Sequence, residues 1–260
     1  MSKSTFLFDE IIFGPIKSRR LGISLGINLL PIKRKICTFD CIYCECGFND
    51  EYKNNDSFPS REEVKRRLIE KSLELIDQKV IPNVITFAGN GEPTVHPDFA
   101  SIVEDTIEVR DRYFPEAKIA VLSNSTQLHK REIFEALQRI DNPILKLDGG
   151  VEKSVSLLDK PNSRFRFDET VMLLKEFGAK AIIQTMFLHG EVGGVQIDNS
   201  SDDEVEAWLN IIKDINPREV MLYTIDRATP VKSLHKVSVT RLNEIAKKVN
   251  LLGIKTQVSA

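Results

Sequence analysis

Cysteine is scarce in this 260-residue chain, and all four thiols lie between Cys37 and Cys46. A disulfide framework spreads its cysteines to staple distant segments, so this crowding excludes one and points to metal or cluster chemistry in a reducing compartment. An excess of either charge is also missing. Lys and Arg number 36 against 38 Asp and Glu, a net charge of -2, which is ordinary for a soluble domain and argues against a protein built chiefly to hold nucleic acid. Long apolar runs are missing too. The uncharged stretch Leu21 to Ile32 stops at twelve residues, short of the ~20 that a membrane helix needs. Met1-Ser2-Lys3 reaches Asp9-Glu10 before any apolar segment forms, so the sequence predicts no secretory signal and a cytoplasmic protein. Repeats, low-complexity tracts and Pro/Gly/Ser linkers are lacking. The expectation is therefore a single domain over 1-260, with an N-terminal segment and first strand in 1-35, a cysteine loop in 36-47 and β/α units in 60-260.

What the chain does have is 42% hydrophobic residues, arranged from about residue 60 onward as short β-branched runs alternating with amphipathic stretches. That alternation is the pattern of a parallel sheet covered by helices. Strands are predicted at Val84 to Phe87, Ile119 to Leu122, Ile144 to Leu147, Ala181 to Phe187 and Val220 to Tyr223, each nearly continuous in apolar residues, with an earlier strand within Ile23 to Leu30. Ser60 and Glu63 stand in capping-box spacing ahead of a stripe of Val64, Leu68, Leu75 and Ile76. Ser201 and Glu204 repeat the signal before Val205, Trp208, Leu209, Ile212 and Ile215. Another stripe, Leu242, Ile245, Val249 and Leu252, ends at Gly253. Further helices are expected near Asp98, Lys130 and Asp168. The count fits an α/β fold, a partial (β/α)6 TIM-like barrel, with the cysteine loop after the first strand, and falls short of the eight units of a closed barrel.

In parallel sheets of this kind ligands bind at the C-terminal ends of the strands. The five segments predicted there are Gly89-Asn90-Gly91-Glu92-Pro93, Ser123-Asn124-Ser125-Thr126, Asp148-Gly149-Gly150, Leu188-His189-Gly190 and Thr224-Ile225-Asp226-Arg227. Each is polar or glycine-rich. Turn formation and helix capping explain such residues in any one loop, but five together mark this rim as the candidate site. Asp148, His189 and Arg227 are candidates for substrate chemistry by position.

Cys37, Cys41 and Cys44 form CxxxCxxC, with Cys46 following. Three thiolates on one short loop can each bind one iron of a small iron-sulfur cluster, leaving a cubane with one open iron, which makes a metal centre reactive. Two other readings use the same residues: a four-thiolate zinc knot completed by Cys46, and a four-cysteine electron carrier. Tetrahedral zinc sites usually recruit pairs from separate segments, and a carrier does not need six β/α units or a glycine-rich rim.

CxxxCxxC with an aromatic residue, Tyr43, before the last cysteine, followed by a Gly-Glu-Pro loop after the next strand, resembles the radical SAM superfamily. The segments Phe13 to Gly22, Ser24 to Asn28 and Thr86 to Pro97 are similar to the branch of iron-sulfur oxidoreductases that includes the wybutosine-synthesis enzymes. The resemblance implies a 4Fe-4S cluster on Cys37, Cys41 and Cys44. It implies S-adenosylmethionine chelating the fourth iron, cleaved by one electron so that a 5'-deoxyadenosyl radical abstracts a hydrogen atom from substrate. It further implies an electron donor such as flavodoxin or ferredoxin. Tyr43 would lie near the adenine, Gly89, Asn90, Gly91 and Glu92 would hold the methionyl amino group, and Ser123 and Asn124 would contact the nucleoside or carboxylate. The chain departs from wybutosine-type enzymes in having no cysteine before Cys37, and from peptide-maturing relatives in having none after Cys46. Cys46 is expected to be a neighbour, since a fourth protein thiolate would fill the cofactor's place. The other functions to weigh are a glycyl-radical-enzyme activating protein and a non-catalytic zinc or iron-sulfur module.

Lys17, Arg19 and Arg20 form a basic run that can meet a phosphate or carboxylate or simply fix a turn. With Arg227 they suggest an anionic substrate, without strong binding of bulk nucleic acid and without a membrane role. His96 is expected to be structural, and His129 and His235 exposed.

Overall fold

The computed structural model describes residues 6-18, 22-49, 57-162 and 164-260. The chain order is β1 (Ile12–Ser18), β2 (Gly22–Ile27), α1 (Arg61–Asp77), β3 (Val84–Phe87), α2 (Phe99–Tyr113), β4 (Lys118–Ser123), α3 (Arg131–Gln138), β5 (Asn142–Lys146), α4 (Glu152–Asp159), α5 (Phe167–Phe177), β6 (Ile182–Val192), β7 (Val195–Asp198), α6 (Asp202–Ile215), β8 (Glu219–Thr224), β9 (Leu234–Lys236), α7 (Val239–Leu251) and β10 (Lys255–Ser259). The sheet runs β1-β2-β3-β4-β5-β6-β8-β10. From β2 to β10 every neighbouring pair is parallel, and β1 joins β2 antiparallel at the edge. Six strand-helix units therefore follow one another as the sequence predicts, and β10 adds a further parallel strand after α7.

Strand parity divides this wall into two faces, because successive side chains point to opposite sides. Ile85, Phe87, Ile119, Val121, Leu145, Ile183, Val220 and Leu222 face the helices and join the main core. Val84, Ala120, Ile144, Ile182 and Met221 face inward and form a separate apolar floor. Moving two residues along the same strands gives Thr86, Leu122, Lys146, Gln184 and Tyr223. The inner wall thus turns polar above its floor. A third apolar cluster, including Phe39, Cys41, Ile42, Tyr43, Leu158, Met186 and Leu188, seats the cysteine loop on top of this interior.

The helices follow their sequence signals, with three local corrections. Ser60 caps α1 by accepting from Glu63 N at 3.2 Å, but Ile76 is 46% exposed, because one residue beyond Leu75 the helix has turned ~100° away from the core. Ser201 does precede α6, yet its side chain makes no capping bond; Glu204 is drawn instead to Ser154 Oγ. Leu252 lies past the end of α7 and is 38% exposed. The segment Leu188-His189-Gly190 is also strand and not loop. β6 continues beyond the rim to pair antiparallel with β7 and β9, and Gly190 allows this because a Cβ there would overlap the Ser233 carbonyl. No helix among the described residues is long and apolar enough to cross a membrane.

Candidate functional site

The cysteine loop is held to the rim by backbone bonds before any side chain is considered. Ile36 N donates to Asn90 O and Glu92 N donates to Ile36 O, both at 3.0 Å, so the chain entering Cys37 forms a bridge with Gly91. Gly91 has φ +136, and a Cβ there would collide with the Ile36 carbonyl. Farther on, Ile42 N donates to Leu158 O at 2.9 Å and Val231 N to Ile42 O at 3.3 Å. The thiols are consequently enclosed between the 89-92 loop, the end of α4 and the loop after β8.

Each of the three motif sulfurs meets a different protein donor. Asn124 Nδ2 lies 3.5 Å from Cys37 Sγ, and Phe39 N lies 3.5 Å from the same atom. Lys146 Nζ lies 3.2 Å from Cys41 Sγ. Hydrogen bonding with Cys46 holds the Cys44 thiol down at about 6, while that bond and burial push the Cys46 thiol up, and Cys46 Sγ also lies 3.6 Å from Gly89 O. Burial pushes Cys37 up to about 12 and Cys41 well above its ordinary value. Lys35 is 1% exposed and donates to Gly47 O at 2.7 Å and Asp40 Oδ1 at 3.2 Å. Burial works against its charge, but negative charge on Cys44, Cys37 and Cys41 raises its pKa. The three thiols therefore share one electrostatic neighbourhood. Among the described residues no three His, Cys, Asp or Glu side chains converge as the holding of a single metal ion requires.

Glu92 joins the two rim loops. Its carboxylate is 2% exposed and accepts from Thr94 N at 3.1 Å, Thr94 Oγ1 at 2.5 Å, Ser123 Oγ at 2.9 Å and Asn124 N at 2.6 Å. Burial raises its pKa, and these donors work against the rise. Asn124 also reaches Thr38 Oγ1 at 2.8 Å. Glu92, Ser123 and Asn124 thus come together beside Cys37. Asn90 does not present its side chain there. Its amide spans Phe8 O at 2.8 Å, Pro31 O at 2.9 Å and Phe8 N at 2.7 Å, because pinning the N-terminal segment over the loop consumes the whole group. At Gly89, a Cβ would overlap the Asn28 side chain.

Below the loop, a buried ionic group lies against Cys41 and Tyr43. Lys146 donates to Tyr43 Oη and, at 3.1 Å, to Asp159 Oδ1, and it stands 3.4 Å from Asp148 Oδ2. Tyr43 Oη donates to Asp148 Oδ2 and lies 3.3 Å from Asp159 Oδ1. Burial, countered by Lys146, raises Asp148 to about 7, and burial with the two carboxylates raises Tyr43 well above its usual value.

The three residues predicted for substrate chemistry are not brought together. Asp148 is 1% exposed, and it accepts from Met186 N at 2.8 Å as well as from Tyr43, so it positions Tyr43 from below. His189 is half-buried on the upper extension of β6, its ring centroid 5.4 Å from that of the exposed His235. Arg227 is paired with Glu45 at 2.6 Å and lies over the Phe6 ring at 5.8 Å, because the loop after β8 clamps the cysteine loop. Lys17 is exposed on β1, and Arg19 and Arg20 lie outside the described residues. His96 is structural as expected, Nε2 on Pro59 O at 2.8 Å and Nδ1 accepting from Asp98 N at 3.0 Å, and His129 is exposed. Sequence reasoning missed Lys35, Lys146 and Asp159. A lysine inside the apolar run Ile144-Leu145-Lys146-Leu147 was the available signal.

Most of the chain is similar to known proteins. The family model described as the Radical SAM superfamily matches residues 33–194. A Brachyspira hyodysenteriae protein named GTPase Obg is 32% identical over 218 residues, 84% of this chain but 30% of that protein. A UPF0026 protein of Helicobacter pylori is 28% identical over 225 residues, 86% of this chain and 68% of its own length. The fold is shared with a radical SAM methyltransferase from Sphaerobacter thermophilus, with TM-score 0.66, 15% identity and coverage of 91% of this chain and 65% of that one. It is shared also with Streptococcus suis SuiB bound to S-adenosylmethionine, with TM-score 0.63, 16% identity and coverage of 88% and 49%. The chain spans less than a third of the Brachyspira protein and about half of SuiB.

Proposed function

The chain belongs to the radical SAM superfamily, whose cofactors are a 4Fe-4S cluster and S-adenosylmethionine, and from that premise we propose that Cys37, Cys41 and Cys44 hold the cluster, with S-adenosylmethionine against the 89-92 loop, Ser123 and Asn124. When bound, this pair supplies a one-electron reduction and, through it, hydrogen-atom abstraction from a substrate.

The donor set fits such a group. Three thiols stand on one short loop, two of them against donors from other elements, Asn124 for Cys37 and Lys146 for Cys41, and each thiolate can take one iron of a cluster. Asn28 supplies a second sign. Its Oδ1 accepts from Leu30 N and Asn90 N, both at 3.1 Å, which fixes the amide's orientation. Its Nδ2 is buried and has no protein partner among the described residues. The Oδ1 side of this amide packs against Gly89, and a bound group that reached the Nδ2 would satisfy it.

The residues around this enclosure hold, orient and exclude. Glu92 fixes the 89-92 loop to Ser123 and Asn124. Gly91 lets that loop meet the backbone ahead of Cys37. Tyr43, held by Asp148 and Lys146, closes the enclosure toward the interior of the sheet, and Phe39, Ile42 and Leu158 keep water from its lower side. Of the three residues predicted for substrate chemistry, His189 stands half-buried on the extension of β6 above the rim, where a substrate would meet it.

The observation that carries the reading is the enclosure of three separate thiols beside the glycine-rich loop. Anaerobic reconstitution with iron and sulfide, followed by S-adenosylmethionine and dithionite, tests it: methionine and 5'-deoxyadenosine should form. Cys37→Ala, Cys41→Ala and Cys44→Ala should each lose the cluster absorbance, and Cys46→Ala should retain it. A Cys46 as indispensable as the other three would mean a closed four-thiolate site and would overturn the assignment.

A further inference from the structure

Among the described residues, one cation donates directly to a motif sulfur. Cys37 receives amide donors and Cys44 receives those of Cys46, but Cys41 receives the ammonium of Lys146 at 3.2 Å. The lysine side chain is only 14% exposed, lies on the inward face of β5, and is bracketed by the rings of Tyr43 at 4.8 Å and Phe39 at 5.7 Å. It is also tethered from the far side by Asp159 at 3.1 Å and Asp148 at 3.4 Å.

We infer that Lys146 sets the reduction potential of the centre held by Cys37, Cys41 and Cys44 through its charged hydrogen bond to the Cys41 sulfur, and that Asp159 moderates this effect by competing for the same ammonium. The inference rests on the ligand assignment made above. Reduction adds one negative charge to the centre, so a cation at its edge stabilises the reduced state more than the oxidised one and raises the potential. Burial strengthens the interaction, since little water intervenes to screen it. Net charge and hydrogen bonds to ligand sulfur are the terms through which a protein adjusts such potentials. An anion sharing the lysine works in the opposite direction.

The two partners therefore give shifts of opposite sign, which a purely structural role does not produce. Wild type, Lys146→Met, Lys146→Arg and Asp159→Asn are reconstituted anaerobically without S-adenosylmethionine and titrated with dithionite, the one-electron reduced state being followed by electron paramagnetic resonance. Lys146→Met should move the midpoint to more negative potential, Asp159→Asn to more positive, and Lys146→Arg should stay near wild type. If Lys146→Met strands its carboxylates and fails to load, Asp159→Asn carries the test alone. A wild-type midpoint in fully loaded Lys146→Met, or a zero or negative shift in Asp159→Asn, overturns the inference. A wild-type protein that loads no cluster, or a Cys41→Ala protein that loads normally, overturns the ligand assignment instead.

Discussion

Gly91 lies against the backbone of Ile36 with no room for a Cβ between them. Hydrogen bonds from Ile36 N and Glu92 N flank that contact, so this approach is what registers the cysteine loop against the glycine-rich loop. The residue that looks like part of a cofactor cradle in sequence is first a joint between two loops.

Gly91→Ala should therefore open the joint. The added methyl meets backbone that cannot rotate away, and we expect a loss of more than about 3 kcal/mol in stability with a matching loss of iron and sulfide after reconstitution. Gly253→Ala, with φ +78 but nothing within 4 Å, should cost only about 1 to 2 kcal/mol and leave cluster loading intact. Equal behaviour of the two variants in thermal unfolding and iron assay would remove the joint from the account.

Glu92 carries two roles that substitutions can separate. Glu92→Ala leaves the amides of Thr94 and Asn124 buried without an acceptor, a cost of about 2 to 6 kcal/mol at the usual penalty per unsatisfied group. Glu92→Gln keeps one carbonyl oxygen and should cost less, but it removes the negative charge offered to a methionyl ammonium. S-adenosylmethionine affinity should then fall by roughly one to two decades while the cluster stays loaded. Equal affinities by calorimetry in Glu92→Gln and wild type would leave only the structural role.

Asp105 gives a pH test on the outer layer. It accepts from Arg61 Nε at 2.6 Å, Arg61 Nη2 at 3.0 Å and Lys65 Nζ at 3.1 Å, joining α1 to α2. The bond from Arg61 leads in lowering its pKa. A carboxylate lowered on folding contributes stability above its unfolded value of about 4 and loses that contribution as pH falls through the folded value. Solvent around both cations limits the gain to about 1 kcal/mol. The stability gap between wild type and Asp105→Asn in urea should be present at pH 7 and close on acidification below about pH 4; a gap constant with pH would refute the ionic origin.

Arg227 and Glu45 are 57% and 43% exposed, so their bond is screened. A double-mutant cycle with Arg227→Ala and Glu45→Ala should give a coupling of about 0.2 to 1 kcal/mol, most of it lost in 1 M salt. No coupling at low salt would mean that Arg227 does not clamp the cysteine loop in solution.

The sequence by itself determined the parallel strands β2 to β6 and β8 and every helix but α4, because strand hydrophobicity, capping residues and glycine stops act over a few neighbours and were readable in runs such as Val84 to Phe87 and Ser60 to Glu63; β7, β9 and β10 were not read from it. The thiol spacing was likewise local, so the motif from Cys37 to Cys44 could be read directly. Strand pairing along β1 and the continuation of β6 beyond the rim depend on partners distant in the chain, and neither was legible. The same holds for individual side chains at the rim. Asn90, Asp148 and Arg227 were placed correctly along the backbone, but their hydrogen-bond partners, Phe8, Tyr43 and Glu45, come from other elements and had already engaged them. Lys146 shows the converse: among apolar neighbours it reads as an interruption of a strand, and only assembly of the sheet, which turns its side of β5 inward above the apolar floor, sets its charge against Cys41.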